Sequence, residues 1–265
     1  MMKEYKIMVG AFGPSGSKTY LDKSWSASGE YIAYREPGGE LIEAEGQFWF
    51  VNCTEERMYE LMDMIKPYSI MRAIADFEGT FTVDKLLETD VIPSEDENAF
   101  CERYKIPITF NDEQFGTFVF DKGIKWYAGA VDYQGDSINV TLESEDDIKT
   151  LRFICKDMDG FIAKASRYAA KELLELGNQW LYEGTMDEGD NYEGMMDEDD
   201  NEVDFTPLTE DDFAKRIALN EISLDDTEDG GHYSLWFDDG DIFAGHSIRV
   251  SGSIESGFIE AVMEG

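Results

Sequence analysis

The feature that most constrains this chain is a long stretch of helical periodicity that follows a run of strands and ends in a block of acid. Ile148, Leu151, Ile154, Cys155, Met158, Phe161, Ile162, Ala165, Ala169, Leu173, Leu176 and Trp180 recur at close to 3.6 residues. One face of that helix is therefore apolar and needs a partner to bury it. Ser144-Glu145-Asp146-Asp147 opens the stretch as a variant capping box, and Asp159-Gly160 predicts a break or kink within it. What the helix covers is written just upstream. Phe115–Phe120, Lys125–Tyr133 and Ser137–Leu142 are separated by Asp121-Lys122-Gly123 and Gln134-Gly135-Asp136, turn sequences that predict a three-stranded meander.

Strand chemistry returns after a short helix that starts at Thr209-Glu210-Asp211-Asp212 and runs through Ile217. Glu221–Leu224, Tyr233–Phe237, His246–Ser251 and Phe258–Val262 predict a small antiparallel sheet closing the chain. In the first half, apolar runs at Tyr5–Val9 and Gln47–Val51 bounded by Gly and Pro predict strands and turns over the first fifty residues, and Ser69–Leu87 carries β-branched and aromatic residues around Gly79. Met58, Leu61, Met62 and Ile65 mark a helix over Glu55–Lys66 behind a Thr54 cap. A second short helix spans Ser94–Tyr104, before Pro107. The expectation is an α+β protein, with antiparallel sheet regions packed against one long kinked helix and several short ones. An N-terminal α+β region would occupy residues 1–110 and a C-terminal α+β domain residues 111–265. Within the latter, residues 183–204 hold a tandem ten-residue repeat, starting at Glu183 and again at Glu193, without a basic residue. Such a block cannot bury itself, and it predicts a mobile acidic insertion.

Twenty-two basic residues against 58 acidic ones leave a formal charge of −36. That charge repels phosphates and anionic head groups, so direct nucleic-acid or membrane binding is disfavoured; the acidity reads first as a solvated surface that favours solubility, and otherwise as a face that captures a basic partner protein or as a carboxylate-lined site for divalent cations. No window approaches the length of a membrane span, and the N-terminus lacks a signal-peptide core. Cys53, Cys101 and Cys155 are odd in number and widely spaced, which reads as reduced thiols in a cytoplasmic protein. Oligomeric state is left open.

Candidate chemistry is sparse. Asp197, Asp199 and Asn201 occupy the first three ligand positions of an EF-hand loop, but Glu202 stands where Gly belongs and Leu208 where the bidentate Glu belongs. Weak Ca²⁺ binding by the repeat is the most that pattern supports, and no other cofactor is implied. His246, with Asp238, Asp239 and Asp241 on the preceding turn, is the one acid–base set that can be written, for a hydrolase or metal-dependent enzyme; a lone His beside a turn is more often structural. Gly10–Thr19 looks like a phosphate loop, yet Ser17 separates Gly16 from Lys18 and Pro14 removes an amide donor, so a flexible turn is expected. Trp126-Tyr127 and Trp236-Phe237 place adjacent rings on opposite faces of their strands. One of each pair belongs to the core, and the other covers a second layer or forms a partner-binding patch.

Phe115-Gly116-Thr117-Phe118, Trp126-Tyr127-Ala128-Gly129, Asn178-Gln179-Trp180, Phe213 and the ending from Phe243-Ala244-Gly245-His246 through Gly265 together resemble a bacterial family of unknown function, number 2262 among the domains of unknown function. The resemblance covers residues 110–265, and residues 45–110 resemble a companion region found in some members. Ala244 departs from it, standing where a larger residue is common. No activity comes with the family. Similar Gly-His-x-Ile hairpins occur in bacterial proteins proposed as immunity partners of toxins, which implies a protein-binding role. The favoured reading is a non-enzymatic binding module of immunity type engaging a basic partner. The alternatives are an enzyme centred on His246 and a nucleic-acid mimic that inhibits DNA-binding proteins.

Overall fold

The structure is a computed structural model, and it describes residues 1–18, 24–187, 205–225 and 231–265. The chain divides into two units, Met1–Pro107 and Ile108–Gly265.

In the first unit, alternation closes a sheet on itself. Tyr5, Ile7 and Val9 point inward from β1 (Lys3–Val9). They meet Ala27 and Tyr31 of β3 (Trp25–Arg35), Phe48 and Phe50 of β4 (Ile42–Cys53), Met71, Ala73 and Ala75 of β5 (Ile70–Phe77), and Phe81 and Val83 of β6 (Phe81–Glu88). The strands run β1-β5-β6-β4-β3, and β3 pairs back onto β1. The product is a five-stranded Greek-key barrel of the OB type. A Cβ at Gly29 would stand 2.5 Å from the Phe48 ring, and one at Gly46 2.5 Å from the Tyr31 hydroxyl. Those two glycines give the rings their room inside the barrel. Helix α1 (Glu55–Met64) begins where the Thr54 hydroxyl accepts the Arg57 N–H at 3.2 Å, and it adds Met58 and Leu61 to the same core.

Outside the barrel, Met8, Ile32, Ala33 and Ile70 form a second apolar patch, covered by Phe100 and Cys101 of α2 (Glu95–Lys105). The Glu97 side chain, 1% exposed, receives Lys6 at 3.3 Å, Arg35 at 3.6 Å and the Ser94 N–H at 2.8 Å. Burial alone would raise its pKa. The Ser94 amide and hydroxyl and the Lys6 charge outweigh burial and hold the carboxylate below its ordinary range. Two details depart from the sequence reading. The stretch read as a flexible turn contains β2 (Ser15–Lys18), an edge strand on β3, and β4 pairs with β6 in parallel.

The second unit keeps its sheet open. Eight strands lie in the order β14-β13-β12-β11-β10-β9-β8-β7. The meander is β7 (Thr109–Asp112), β8 (Gly116–Asp121), β9 (Trp126–Tyr133) and β10 (Asp136–Leu142). The closing strands are β11 (Ala218–Asp225), β12 (His232–Asp238), β13 (Ser247–Ser253) and β14 (Gly257–Glu264). They do not form a separate antiparallel sheet, because β10 and β11 pair in parallel, Val140 opposite Ile222. A parallel neighbour requires a crossover. That crossover is a 3₁₀ turn (Glu145–Asp147) followed by α3 (Ile148–Cys155), α4 (Met158–Asp187) and, beyond residues outside the description, α5 (Glu210–Arg216).

The expected single kinked helix is two helices. The Asp157 carboxylate accepts the Gly160 N–H at 3.2 Å and its carbonyl accepts the Phe161 N–H at 2.8 Å, so the chain recaps and starts α4 afresh. Leu151 and Ile154 of α3, Ile162, Ala165, Ala169 and Leu173 of α4, and Phe213 of α5 pack on one face of the sheet. The small alanines let the long helix sit close to the strands. The repeat expected at residues 183–204 falls almost wholly outside the described residues, and so do Asp197, Asp199 and Asn201.

Candidate functional site

Because strand side chains alternate, the residues between the core positions of the second unit all point away from the helices. Phe118, Val131, Val140, Ile222, Leu235 and Val250 face the helices. Pairing then sets the other face in rows across the strands. One row is Ala128, Thr141, Ser223, Ser234, Ser251 and Glu260; the next is Ala130, Asn139, Glu221, Trp236, Arg249 and Val262. The centre of this face is built of small hydroxyls and methyls, with one large ring, Trp236, standing in it. Carboxylates lie on the same face at Asp121, Asp132, Glu221, Asp225, Asp238, Glu260 and Glu264, against one guanidinium, Arg249, among the described residues.

Each aromatic pair singled out in the sequence is split by its strand. Tyr127 lies inward against Phe110 and Phe120, with ring centroids 5.0 Å away, and Trp126 lies outward. Phe237 is 1% exposed in the core, and Trp236 is half-buried on the open face. The Trp236 Nε1–H donates to the Ser223 hydroxyl at 3.2 Å, and the Arg249 guanidinium stands 6.0 Å over its ring. Arg249 also donates to Glu264 at 3.0 Å and Glu260 at 3.2 Å.

The His246 loop is organised differently. Asp239, 2% exposed, accepts the N–H groups of Asp241 at 3.1 Å, Phe243 at 2.6 Å and Gly245 at 3.1 Å, and Asp238 accepts that of Gly240 at 2.9 Å. These bonds fold a loop in which Gly240, Asp241, Ala244 and Gly245 all have positive φ. The Asp241 side chain is exposed. The His246 ring meets Trp180 edge to face at 5.3 Å, and Gly265 lies against its Nδ1. No hydrogen bond or ion pair joins His246 to the three aspartates.

A cavity of about 820 Å³ opens where α3 gives way to α4, lined by Asp132, Tyr133, Asp157 and Asp159 around Phe115 and Met158. Asp157 caps α4, and Asp159 accepts from Gln134 at 3.1 Å, so both carboxylates are engaged at the helix start. Burial raises the Tyr133 hydroxyl, with Asp159 adding to it, and burial pushes the Cys155 thiol up to about 11, which keeps that sulfur protonated at neutral pH. Among the described residues no group of three or more His, Cys, Asp or Glu is arranged to hold a metal ion, and no helix is long and apolar enough to cross a membrane.

The sequence reading found Trp236 but missed Glu221, Thr141 and Ser223. Their only signal was polar alternation along strands whose pairing spans some eighty positions. No curated protein and no solved structure shows significant similarity to the chain. The sequence profile of a family described as an uncharacterized protein conserved in bacteria, DUF2262, matches residues 112–263, a stretch that takes in the open face from β8 to β14 up to Met263. Since that match spans more than half of the chain, the protein belongs to this family.

Proposed function

We propose that this chain is a non-enzymatic binding protein of the toxin-immunity type that engages a basic partner through its second unit. One observation carries the reading: a wide sheet is packed by helices on one face, and its other face presents carboxylates around small polar residues. A sheet face without a covering layer is a ready platform for another protein, and clustered charge of one sign speeds and selects the encounter. The immunity assignment rests on the likeness of the terminal hairpin to proteins proposed for that role. Catalysis at His246 gains no support from the loop, where Asp238 and Asp239 bond backbone amides.

The test is affinity capture from a bacterial lysate at low salt, repeated near 1 M, where the Debye length falls to about 3 Å. A basic protein retained only at low salt, and reforming a complex from purified components, is the expected result. Recovery of no salt-sensitive protein would count against the proposal.

A further inference from the structure

We infer that Glu221 and Trp236 form the seat for an arginine side chain presented by a partner protein. The inference rests on the binding role proposed above and names its central contact. Glu221 and Trp236 are directly paired across β11 and β12. One Glu221 carboxylate oxygen accepts the Thr141 hydroxyl at 3.3 Å and the Ser223 hydroxyl at 3.0 Å, and the Thr141 hydroxyl also lies 3.0 Å from that of Ser223. The Trp236 indole is fixed by the same Ser223. Two hydroxyls from neighbouring strands thus hold a half-buried carboxylate beside an aromatic ring.

Among the described residues no basic side chain pairs with Glu221. Glu260 and Glu264, two other carboxylates of this face, are paired with Arg249, whereas Glu221 is held in place by hydroxyls. A guanidinium matches such a site in both halves. Its planar fork bonds a carboxylate, and its face stacks on an indole, which an ammonium does less well. Beside Trp236, the next outward positions along β12 and β13, Ser234 and Ser251, line a cavity of about 400 Å³ with Asp225, His232, Arg249 and Glu260. It gives the flanking part of a basic segment somewhere to lie. A second copy of this chain is a poor occupant, because the same carboxylates would face one another.

The test titrates the full chain with a capped peptide of alternating arginine and serine, and with the same peptide carrying citrulline for arginine. Wild type binds the arginine peptide at low salt. Glu221→Gln is expected to weaken that binding by about tenfold, whereas Glu175→Gln, which removes the same charge from the exposed side of α4, changes it by less than about twofold. In wild-type protein the indole N–H resonance of Trp236, assigned through Trp236→Phe, shifts with the arginine peptide and not with the citrulline one. That second readout stands even where a variant folds poorly. The inference falls if Glu221→Gln behaves like Glu175→Gln, if the Trp236 resonance stays still, or if citrulline binds equally well. Peptide binding that ignores Glu221 and Trp236 would sink this seat and leave the proposed binding role standing. A salt-sensitive partner that fails to appear, with no peptide bound, would sink both.

Discussion

The two units handle a β-sheet in opposite ways. The first curls its sheet into a barrel, so the hydrophobic side faces only itself, and the apolar patch left outside is covered by α2 of the same unit. The second leaves eight strands open, gives one face to α3, α4 and α5, and leaves the other lined with hydroxyls, methyls and carboxylates. Closure meets a strand's need for neighbours within the unit, and an open, one-sided sheet keeps a surface in reserve. One carboxylate from each unit follows this division. In the barrel unit Glu97 is buried between Lys6 and Arg35, whereas on the open sheet Glu221 is held by hydroxyls alone.

The comparison breaks first at adjacent residues on one strand. Phe237→Ala empties the helix-covered core, as Phe81→Ala empties the barrel, and each should cost about 3–5 kcal/mol in denaturant unfolding. Trp236→Ala, half-buried on the outward face, should cost less, about 1–2 kcal/mol. Equal losses at 236 and 237 would show that the second face is covered after all.

Next in size is Glu97→Ala. Breaking a fully buried ion pair costs roughly 3–5 kcal/mol, and with Lys6 still a third exposed we expect about 2 kcal/mol here. The same cluster sets a pH dependence. Glu97 is held below its ordinary range, and Asp96 is brought to about 2 by the Ser94 hydroxyl and Arg35. Groups with depressed folded values stabilise fully above their unfolded values and lose that contribution as pH falls through the folded ones. The barrel unit should therefore weaken from about pH 4.5 downward, and Glu97→Gln should flatten the slope, as followed by thermal unfolding across that range.

A smaller effect separates the His246 loop from the open face. Ala244 has a φ of 55°, a conformation that glycine takes without penalty. Ala244→Gly should stabilise the chain by about 0.5–1 kcal/mol in chemical denaturation. A loss would mean that the alanine methyl contributes packing there. Smallest is Glu221→Gln, which should leave the melting curve within about 0.5 kcal/mol of wild type, as expected of a side chain that serves binding rather than folding.

Much of this architecture was readable where local chemistry decides it. Thr54 and Thr209 cap their helices, and the turns at Gln134-Gly135 and Asp121-Lys122-Gly123 set the meander. What stayed hidden depended on distant partners. Nothing in Val140 or Ile222 announces that they lie side by side, so the parallel join that unites two sheets into one was unreadable. The break before α4 was misplaced because Asp159-Gly160 looked like the interruption, when Asp157 supplies the new cap. For the site, Trp236 was visible as a ring beside a core phenylalanine. Glu221 gains its meaning only from Thr141, which register brings to it across the parallel pair.

The proposed binding surface is the face of the open sheet that points away from the helices. Carboxylate footprinting, by carbodiimide coupling and mass spectrometry with and without the arginine peptide, tests it most directly. Protection is expected at Glu221, Asp225, Glu260 and Glu264, with Glu43, Glu45 and Glu56 of the barrel unit unchanged. Protection centred on the barrel carboxylates, or spread evenly over the chain, would contradict it.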